Sequence, residues 1–575
     1  MGDIFKIIKN PLFWIFLLAL FLRTYKLGEF PYGFHVDEVK VAWNALSILK
    51  TGYDDHGSSL SLYYNSFGDY RPTGIFYITI PSIIVFGRNE FATRFPTALF
   101  GALSVIPIYF LIELLDKSKR LNIWKLNTGH LGGLLMAISP WSIDLSRATN
   151  EVVASTFFAL CSLFFFLKLL RSKNTRDAIF SIITIIFSYL LYHPIRFLGP
   201  PIFVIAFLIY MKQIKSKNIR VWSWICMITV FLLTLFFSTT KEGLARFDQV
   251  SIFKDVDTIY QIQRIKSEDL NVNILTLAFD NKFVTYIQTF MDQYGGYFAG
   301  DFLIGSEARP YRFATPGVGL ITYIEVVLLI AGIVEVVRGK KSFLPLVLLL
   351  IAPLPAAVTT EDAPNLSRAF LMLPFLILLE AYGLEFIVTV SKKYKSQIIF
   401  ITFSLLTLNF LYFSYMYLNH ATTHRPFLKD FFVDSPTYRD VGAKELSLQL
   451  DSLGQKYSKV IITNFPDNPY PWYAFFTGKD PAVFNNTFSS KTNEKDYGNL
   501  DFSEERCPSD DDLIKYKDQN ILMIDSWVCP YQNQIDDGLP LKIDSKITRP
   551  DGSEVYILLE RDWAKPLIVN GVLIK

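Results

Sequence analysis

The chain has 575 residues, too many for one ordinary compact domain, and 51% of them are hydrophobic, including 51 phenylalanines. That composition excludes an ordinary soluble protein, and a formal net charge of +3 is too small to argue for a nucleic-acid partner. Runs such as PTALFGALSVIPIYFLIELL and TYIEVVLLIAGIVEVV point to repeated passage through a bilayer.

In chain order, the first apolar stretch (Pro11 to Leu22) lacks a small-residue cleavage site and runs into Arg23-Thr24-Tyr25-Lys26, so it reads as an uncleaved span. Basic clusters then recur between apolar runs: Lys6/Lys9, Lys117/Lys119/Arg120/Lys125, Lys168/Arg171/Lys173/Arg176, Lys212/Lys215/Lys217/Arg220, Arg338/Lys340/Lys341 and Lys392/Lys393/Lys395. Excess lysine and arginine marks the cytoplasmic side, and an even number of crossings must separate consecutive clusters. Spans at 11–27 and 95–115 put residues 28–94 outside. The apolar stretch Gly74 to Phe86, shorter than the ~20 residues a span needs, becomes a juxtamembrane or re-entrant helix. The same parity pairs 129–143 with 151–170, 178–193 with 195–211, 220–238 with 316–337, and 342–358 with 369–390; a last span at 397–417 leaves the tail outside.

The expected fold class is therefore mainly α. It is a polytopic transmembrane helical bundle of about eleven spans over residues 1–417, with its first extracytoplasmic loop at 28–94, in the plasma (cytoplasmic) membrane. Residues 418–575 differ in kind. They are polar, with strand-like KVIITNF, NILMIDSW and EVYILLE between turn-rich stretches, which predicts an extracytoplasmic α/β domain. Cys161 and Cys226 lie within spans, whereas Cys507 and Cys529 fall in the outside tail, where an oxidising compartment makes them a disulfide candidate.

The first loop contains FHVDEVKVAW. As a helix over 36–50 it places Val39, Ala42, Trp43, Leu46 and Leu49 on one face and Asp37, Lys40, Asn44 and Ser47 on the other, an amphipathic pattern suited to the membrane interface. Asp37 sits at the helix start, where the dipole favours its ionised form, and Glu38 points about 100° away. Asp37 is thus either an N-cap or a working carboxylate. Further on, GDYRPTGIFYITIP places Asp69, Tyr70 and Arg71 before a proline-started apolar helix. Arg71 can grip a phosphate by a fork of hydrogen bonds or simply meet lipid headgroups.

The acidic pair in the first outside loop, the Arg-Pro helix and NEFATRFPTALFGALSV together resemble the GT-C superfamily of polyprenyl-phosphate-dependent glycosyltransferases. More narrowly, they resemble bacterial relatives of the protein O-mannosyltransferases and of the lipid A aminoarabinose transferase. The resemblance runs through most of residues 12–375 and includes SPWSIDLSRATNE at 139–151, YHPIRFLGPP at 192–201 and NLSRAFLMLP at 365–374. It implies a GT-C type bundle, Asp37 as general base and Arg71 as a lipid-phosphate contact. Two positions depart from the pattern: Thr73 replaces the second proline, and Tyr70 stands where the aminoarabinose transferases have Glu, with Asp69 one place early.

A polyprenyl-phosphate sugar is already activated, so transfer needs a base for the acceptor hydroxyl and cations for the departing phosphate. One carboxylate without a covalent partner implies inversion. Glu38 either hydrogen-bonds the sugar, orients the acceptor, or is a solvated loop acid. The outside-edge cations are Arg71, Arg147, Arg196 and Arg368; Arg196 follows His193-Pro194 at a turn between spans, while Arg147 and Arg368 at span ends also suit snorkelling to headgroups. His35 reads as a loop-shaping residue, and six histidines in all make a zinc site a poor fit, leaving a divalent cation on the acidic oxygens near Asp37 and Glu38 open.

The implied partners are a polyprenyl-phosphate-linked sugar, the bilayer, and an acceptor hydroxyl on protein, glycolipid or wall polymer, with no nucleic acid. The rival reading is a lipid-linked-sugar transporter or flippase, which requires charged residues near the bilayer midplane and an internal repeat. Neither is evident, because the ionisable residues cluster at the outer span ends.

Overall fold

Long apolar stretches without internal breaks become long helices. Among the described residues, six helices are long and apolar enough to cross a membrane: Glu90–Leu115, Glu151–Arg171, Pro194–Gln213, Lys217–Ser238, Met372–Val390 and Lys395–Asn419. Shorter apolar helices run over Pro11–Thr24, Gly74–Phe86, Thr128–Ile138 and Leu344–Ala357. The computed structural model describes residues 9–66, 69–116, 126–172, 174–268, 274–305, 308–390, 392–419, 441–463, 470–487, 496–502, 510–526, 539–548 and 554–569, with 552, 572 and 573. Cys507 and Cys529 lie outside the described residues.

Where sequence parity predicts one span over 129–143, the structure has two helices, Thr128–Ile138 and Pro140–Ser146. Proline at the first position of the second helix cannot donate to the preceding turn, and Ser139 caps that helix through its side chain. The carbonyls left open at the break are taken by Arg23, which donates to Met136 O at 3.0 Å and Ala137 O at 2.9 Å and reaches Ser142 Oγ at 2.7 Å. Between the expected spans 220–238 and 316–337, the described residues form four helices of six or more residues: Lys241–Val250, Val256–Glu268, Ile274–Phe279 and Lys282–Gly296.

The chain divides into two compact units. The first comprises Met1–Tyr25, Leu62–Ile75 and Phe95–Asn419; the second comprises Lys26–Ser61, Phe76–Arg94 and His420–Lys575. This differs from a boundary at residue 417, because the helix carrying the acidic pair clusters with the tail.

Within the first unit, the helices Tyr323–Val337 and Met372–Val390 cross at glycines. A Cβ on Gly332 would stand 1.9 Å from Leu379 O, and one on Gly383 would stand 1.8 Å from Leu328 O. Only the absence of a side chain permits that approach. Glu380 lies in the middle of Met372–Val390, fully buried, with neither carboxylate oxygen hydrogen-bonded among the described residues. The expectation that ionisable residues stay at span ends fails at this position. The same unit holds a hairpin, β1 (Tyr63–Ser66) and β2 (Asp69–Pro72), paired Tyr63 with Pro72 and Tyr64 with Arg71.

The second unit contains the helix Val36–Thr51 and, with three in the expected runs KVIITNF, NILMIDSW and EVYILLE, six sheet strands among the described residues of the tail. These are β3 (Lys459–Ile462), β4 (Asp496–Tyr497), β5 (Leu500–Phe502), β6 (Ile521–Ser526), β7 (Leu541–Thr548) and β8 (Glu554–Arg561), ordered β4-β5-β3-β6-β8-β7. The strand β3 is parallel to β5 and β6, and the other neighbours are antiparallel. Side-chain alternation sorts the two faces. Leu522, Ile524, Tyr556 and Leu558 join one core, whereas Ile521, Met523, Ile557 and Leu559 join another.

The first of those cores also contains Val39, Trp43 and Leu46 from the first-loop helix and Trp472, Phe475 and Phe484 from the tail. Trp472 donates from Nε1 to Phe34 O at 2.9 Å, and Trp43 donates to Asn485 Oδ1 at 3.2 Å. The helix is therefore not amphipathic in place: Lys40, Asn44 and Ser47, expected on a solvent-side face, are buried, and Leu49 is exposed. Asn44 Oδ1 accepts from Asp55 N, and Ser47 Oγ receives Asn485 Nδ2 at 2.9 Å, so the polar face is satisfied inside the unit.

Candidate functional site

In the second unit, the start of Val36–Thr51 is built by a reciprocal cap. His35 Nδ1 accepts from Asp37 N at 3.2 Å, while the Glu38 carboxylate accepts from His35 N at 3.2 Å. The same Nδ1 lies 3.6 Å from Asp37 Oδ2. Asp37 is half-buried at the second helical position, with its side chain 19% exposed.

Glu38 is placed differently. It is 1% exposed, and Arg94 meets both its oxygens, Nε to Oε1 at 2.9 Å and Nη2 to Oε2 at 3.1 Å. Arg94 also donates to the carbonyls of Leu27, Pro31 and Gly33. The solvated-acid reading of Glu38 is thereby corrected: its charge is held in a buried fork that ties the chain before the helix to the helix start. A divalent cation shared by the acidic pair does not fit, because both Glu38 oxygens are committed. Among the described residues, no three His, Cys, Asp or Glu side chains gather as a metal site. Lys40, one turn on from Asp37, is buried within the same helix.

In the first unit, the hairpin carries Asp69, Tyr70 and Arg71 on β2, with Asp69 opposite Ser66 at its turn. Tyr70 O accepts from His193 Nε2 at 3.0 Å. That donation leaves His193 Nδ1 as an acceptor, and Arg196 Nη1 donates to it at 3.1 Å. The same Nη1 donates to Tyr63 Oη at 2.8 Å, and Arg196 Nε donates to Tyr189 O at 2.9 Å. Arg196 also lies 4.1 Å from the Phe237 ring centre. One arginine and one histidine thus hold both strands of the hairpin that presents Arg71. Arg196, expected as an exposed phosphate contact, is 2% exposed and works as a clamp.

Arg147 is also buried, donating to Leu22 O at 2.9 Å with its guanidinium 5.2 Å from the Tyr417 ring centre; this is a helix-end contact rather than snorkelling. Arg368 donates to Thr359 Oγ1 at 2.7 Å, to Glu361 O at 3.0 Å and to the Glu361 carboxylate. Its turn is ordered by Asn365 Oδ1, which accepts from Arg368 N at 3.0 Å. Arg246 joins it, donating from Nη2 to Glu361 Oε2 at 3.2 Å. Burial pushes the Glu361 carboxyl up, but the opposing charges of Arg368 and Arg246, with a contribution from Arg71, hold it below the usual carboxylate range. Arg368 and Arg246 thus meet on Glu361, while Arg147 donates to Leu22 O and Arg196 to Tyr63, Tyr189 and His193. Sequence reasoning passed over Arg246, Glu361, Tyr63 and Arg94. The arginine in NEFATRFPT was in view, but nothing local marks its partner.

Tyr70, Arg71, His193 and Arg196 fall in the stretch that matches a known family, whereas β1 with Tyr63 lies just before it. Residues 70–238 match the dolichyl-phosphate-mannose-protein mannosyltransferase family. The resemblance to polyprenyl-phosphate-dependent GT-C glycosyltransferases read from the sequence therefore holds over this mannosyltransferase-like stretch. An uncharacterized protein of Aquifex aeolicus (strain VF5) is 26% identical over 274 residues, 46% of this chain and 52% of that relative, so the chain spans about half the length of the curated relative it matches. Among solved structures, ArnT from Cupriavidus metallidurans in the apo state is similar with a TM-score of 0.46 at 10% identity, covering 97% of this chain and 98% of that one. The archaeal oligosaccharyltransferase AglB from Archaeoglobus fulgidus, in complex with an inhibitory peptide and a dolichol-phosphate, is similar with a TM-score of 0.45 at 13% identity, covering 81% and 63%.

Proposed function

We propose that this protein is a membrane glycosyltransferase that moves a sugar from a polyprenyl-phosphate donor to an acceptor hydroxyl on the extracytoplasmic face, with inversion at the anomeric carbon. The observation that carries the reading is the unequal fate of the acidic pair: Glu38 is neutralised by Arg94, and Asp37 remains partly exposed at a helix N-terminus. The positive end of the helix dipole favours the ionised carboxylate a general base requires. Asp37 takes the acceptor proton as the oxygen attacks the anomeric carbon, and the bond from that carbon to the phosphate oxygen breaks. The phosphodiester carries one negative charge and the departing phosphate monoester carries two. Cations are thus worth more after bond cleavage has begun than before it, the differential binding that catalysis needs. Arg71, Arg246 and Arg368 supply them in this reading, and the family match over residues 70–238 supports the donor class.

A transporter or flippase reading draws on one observation, the fully buried Glu380 in the middle of a span. Reconstitution with labelled polyprenyl-phosphate sugars separates the two. Transfer to an acceptor by the wild type, lost in Asp37→Asn with donor binding retained, supports the enzyme. Movement of the lipid across the bilayer without transfer, unchanged by Asp37→Asn, supports the transporter.

A further inference from the structure

Two arginines from distant parts of the chain converge on one carboxylate oxygen. Arg246 Nη2 and Arg368 Nη2 both donate to Glu361 Oε2, and Arg71 adds its field. Two guanidinium groups thus share one carboxylate oxygen. The exposures are unequal: the Arg246 and Arg368 side chains are 19% and 12% exposed, and Glu361 is 51% exposed. Arg368 has further anchors in Thr359 Oγ1 and Glu361 O, and Arg246 donates from Nη1 to Gln249 Oε1 at 3.0 Å. The cations are thus built into the fold, whereas the anion reaches them from its more open side.

Half-buried arginines carry a desolvation cost that an anion must offset at all times. When no donor is bound, that anion has to come from the protein. We propose that Glu361 is an internal stand-in for the donor phosphate, holding Arg246 and Arg368 until a phosphate oxygen displaces it. The proposal rests on the reading of these arginines as the donor-phosphate site. Displacement breaks and makes only ion pairs and hydrogen bonds. The Glu361 carboxylate swings to water and two phosphate oxygens take the guanidinium hydrogens, a bidentate match that one carboxylate oxygen shared by two arginines does not provide. Affinity for phosphate in the wild type is then lowered by the cost of removing Glu361.

The test is binding of a short-chain polyprenyl phosphate to the full chain in nanodiscs, comparing wild type with Glu361→Gln by calorimetry. A neutral amide of the same shape competes poorly for the arginines, so the variant is expected to bind about tenfold tighter. Equal or weaker binding by Glu361→Gln, with the wild type still binding, overturns the proposal and leaves the phosphate site standing. Binding by neither protein removes the phosphate site and the stand-in with it. A second readout is the rate at which phenylglyoxal modifies Arg246 and Arg368, followed by peptide mass spectrometry. Faster modification in Glu361→Gln, reversed by inorganic phosphate, supports the proposal. An unchanged rate shows that Glu361 does not hold the arginines and overturns it.

Discussion

Glu38 and Arg94, 56 residues apart, form a buried two-pronged ion pair with contacts of 2.9 and 3.1 Å. Removing one partner strands a charge away from water, which costs about 3–5 kcal/mol. Arg94→Ala is therefore expected to lower the thermal stability of the second unit sharply, read as early loss of tryptophan fluorescence, and Glu38→Gln to do so less because the amide still accepts from His35 N. Wild-type melting of Arg94→Ala would reduce the pair to a surface contact.

Asp37→Asn keeps the shape of the helix start and removes the proposed base. Transfer is expected to fall about 10²- to 10⁴-fold, the usual worth of general-base catalysis, with melting unchanged. Substantial turnover in the variant would move the base elsewhere.

The His193–Arg196–Tyr63 clamp acts on Arg71 through the hairpin. Tyr63→Phe deletes the hydroxyl that Arg196 donates to, a loss of about 1–3 kcal/mol at a buried charged donor. Faster amide exchange over 62–72 is expected, with the donor KM rising and kcat little changed. A fall in kcat alone, with hairpin exchange as in the wild type, would argue against a positioning role.

The pH dependence of donor binding follows from Glu361, whose folded-state pKa is depressed by Arg368 and Arg246. Ion pairing to this carboxylate is fully present above its ordinary pKa and is lost as pH falls through the depressed one. The phosphodiester of a donor keeps its charge over that range. Wild-type affinity for the donor should therefore rise as the solution is acidified toward and below the ordinary carboxylate range, and Glu361→Gln should show a flat profile there. A rise of the same size in the variant would assign the titration to another group.

Glu380 offers a stability test. A buried carboxyl with no hydrogen-bond partner is a cost rather than a support, so Glu380→Gln is expected to melt at or above the wild-type temperature with transfer intact. Loss of transfer without loss of stability would give this residue a functional role.

What could be read in advance was local. The FHVDEV start predicts a helix because cap and dipole chemistry act within one turn, and KVII, ILMID and VYILL predict strands because alternation and β-branching act within one segment. The lysine pattern anticipates spans, and the structure has six of full length among the described residues. What escaped was non-local. The polar face of Val36–Thr51 looked solvated because one of its partners, Asn485, lies 438 positions along the chain from Ser47. Arg196 looked like a surface cation because Tyr63, which accepts from it, comes from a hairpin 133 positions away, and Tyr189 from the preceding helix Arg176–Leu191. Glu361 drew no attention because Arg246, one of the two arginines on it, lies 115 positions away.

The hydrogen bond from Trp472 to Phe34 joins residues 438 positions apart. At ordinary rates of synthesis, the helix bearing Asp37 waits roughly 20–90 s for the tryptophan that completes its core. Until then its core residues Val39, Trp43 and Leu46 lack Trp472, Phe475 and Phe484, so the nascent chain carries an unfinished helix. Maturation of the carboxylate site is thus timed by the last quarter of the polypeptide, and a ribosome that stalls before residue 472 releases a protein whose membrane helices are made but whose proposed base is not yet set.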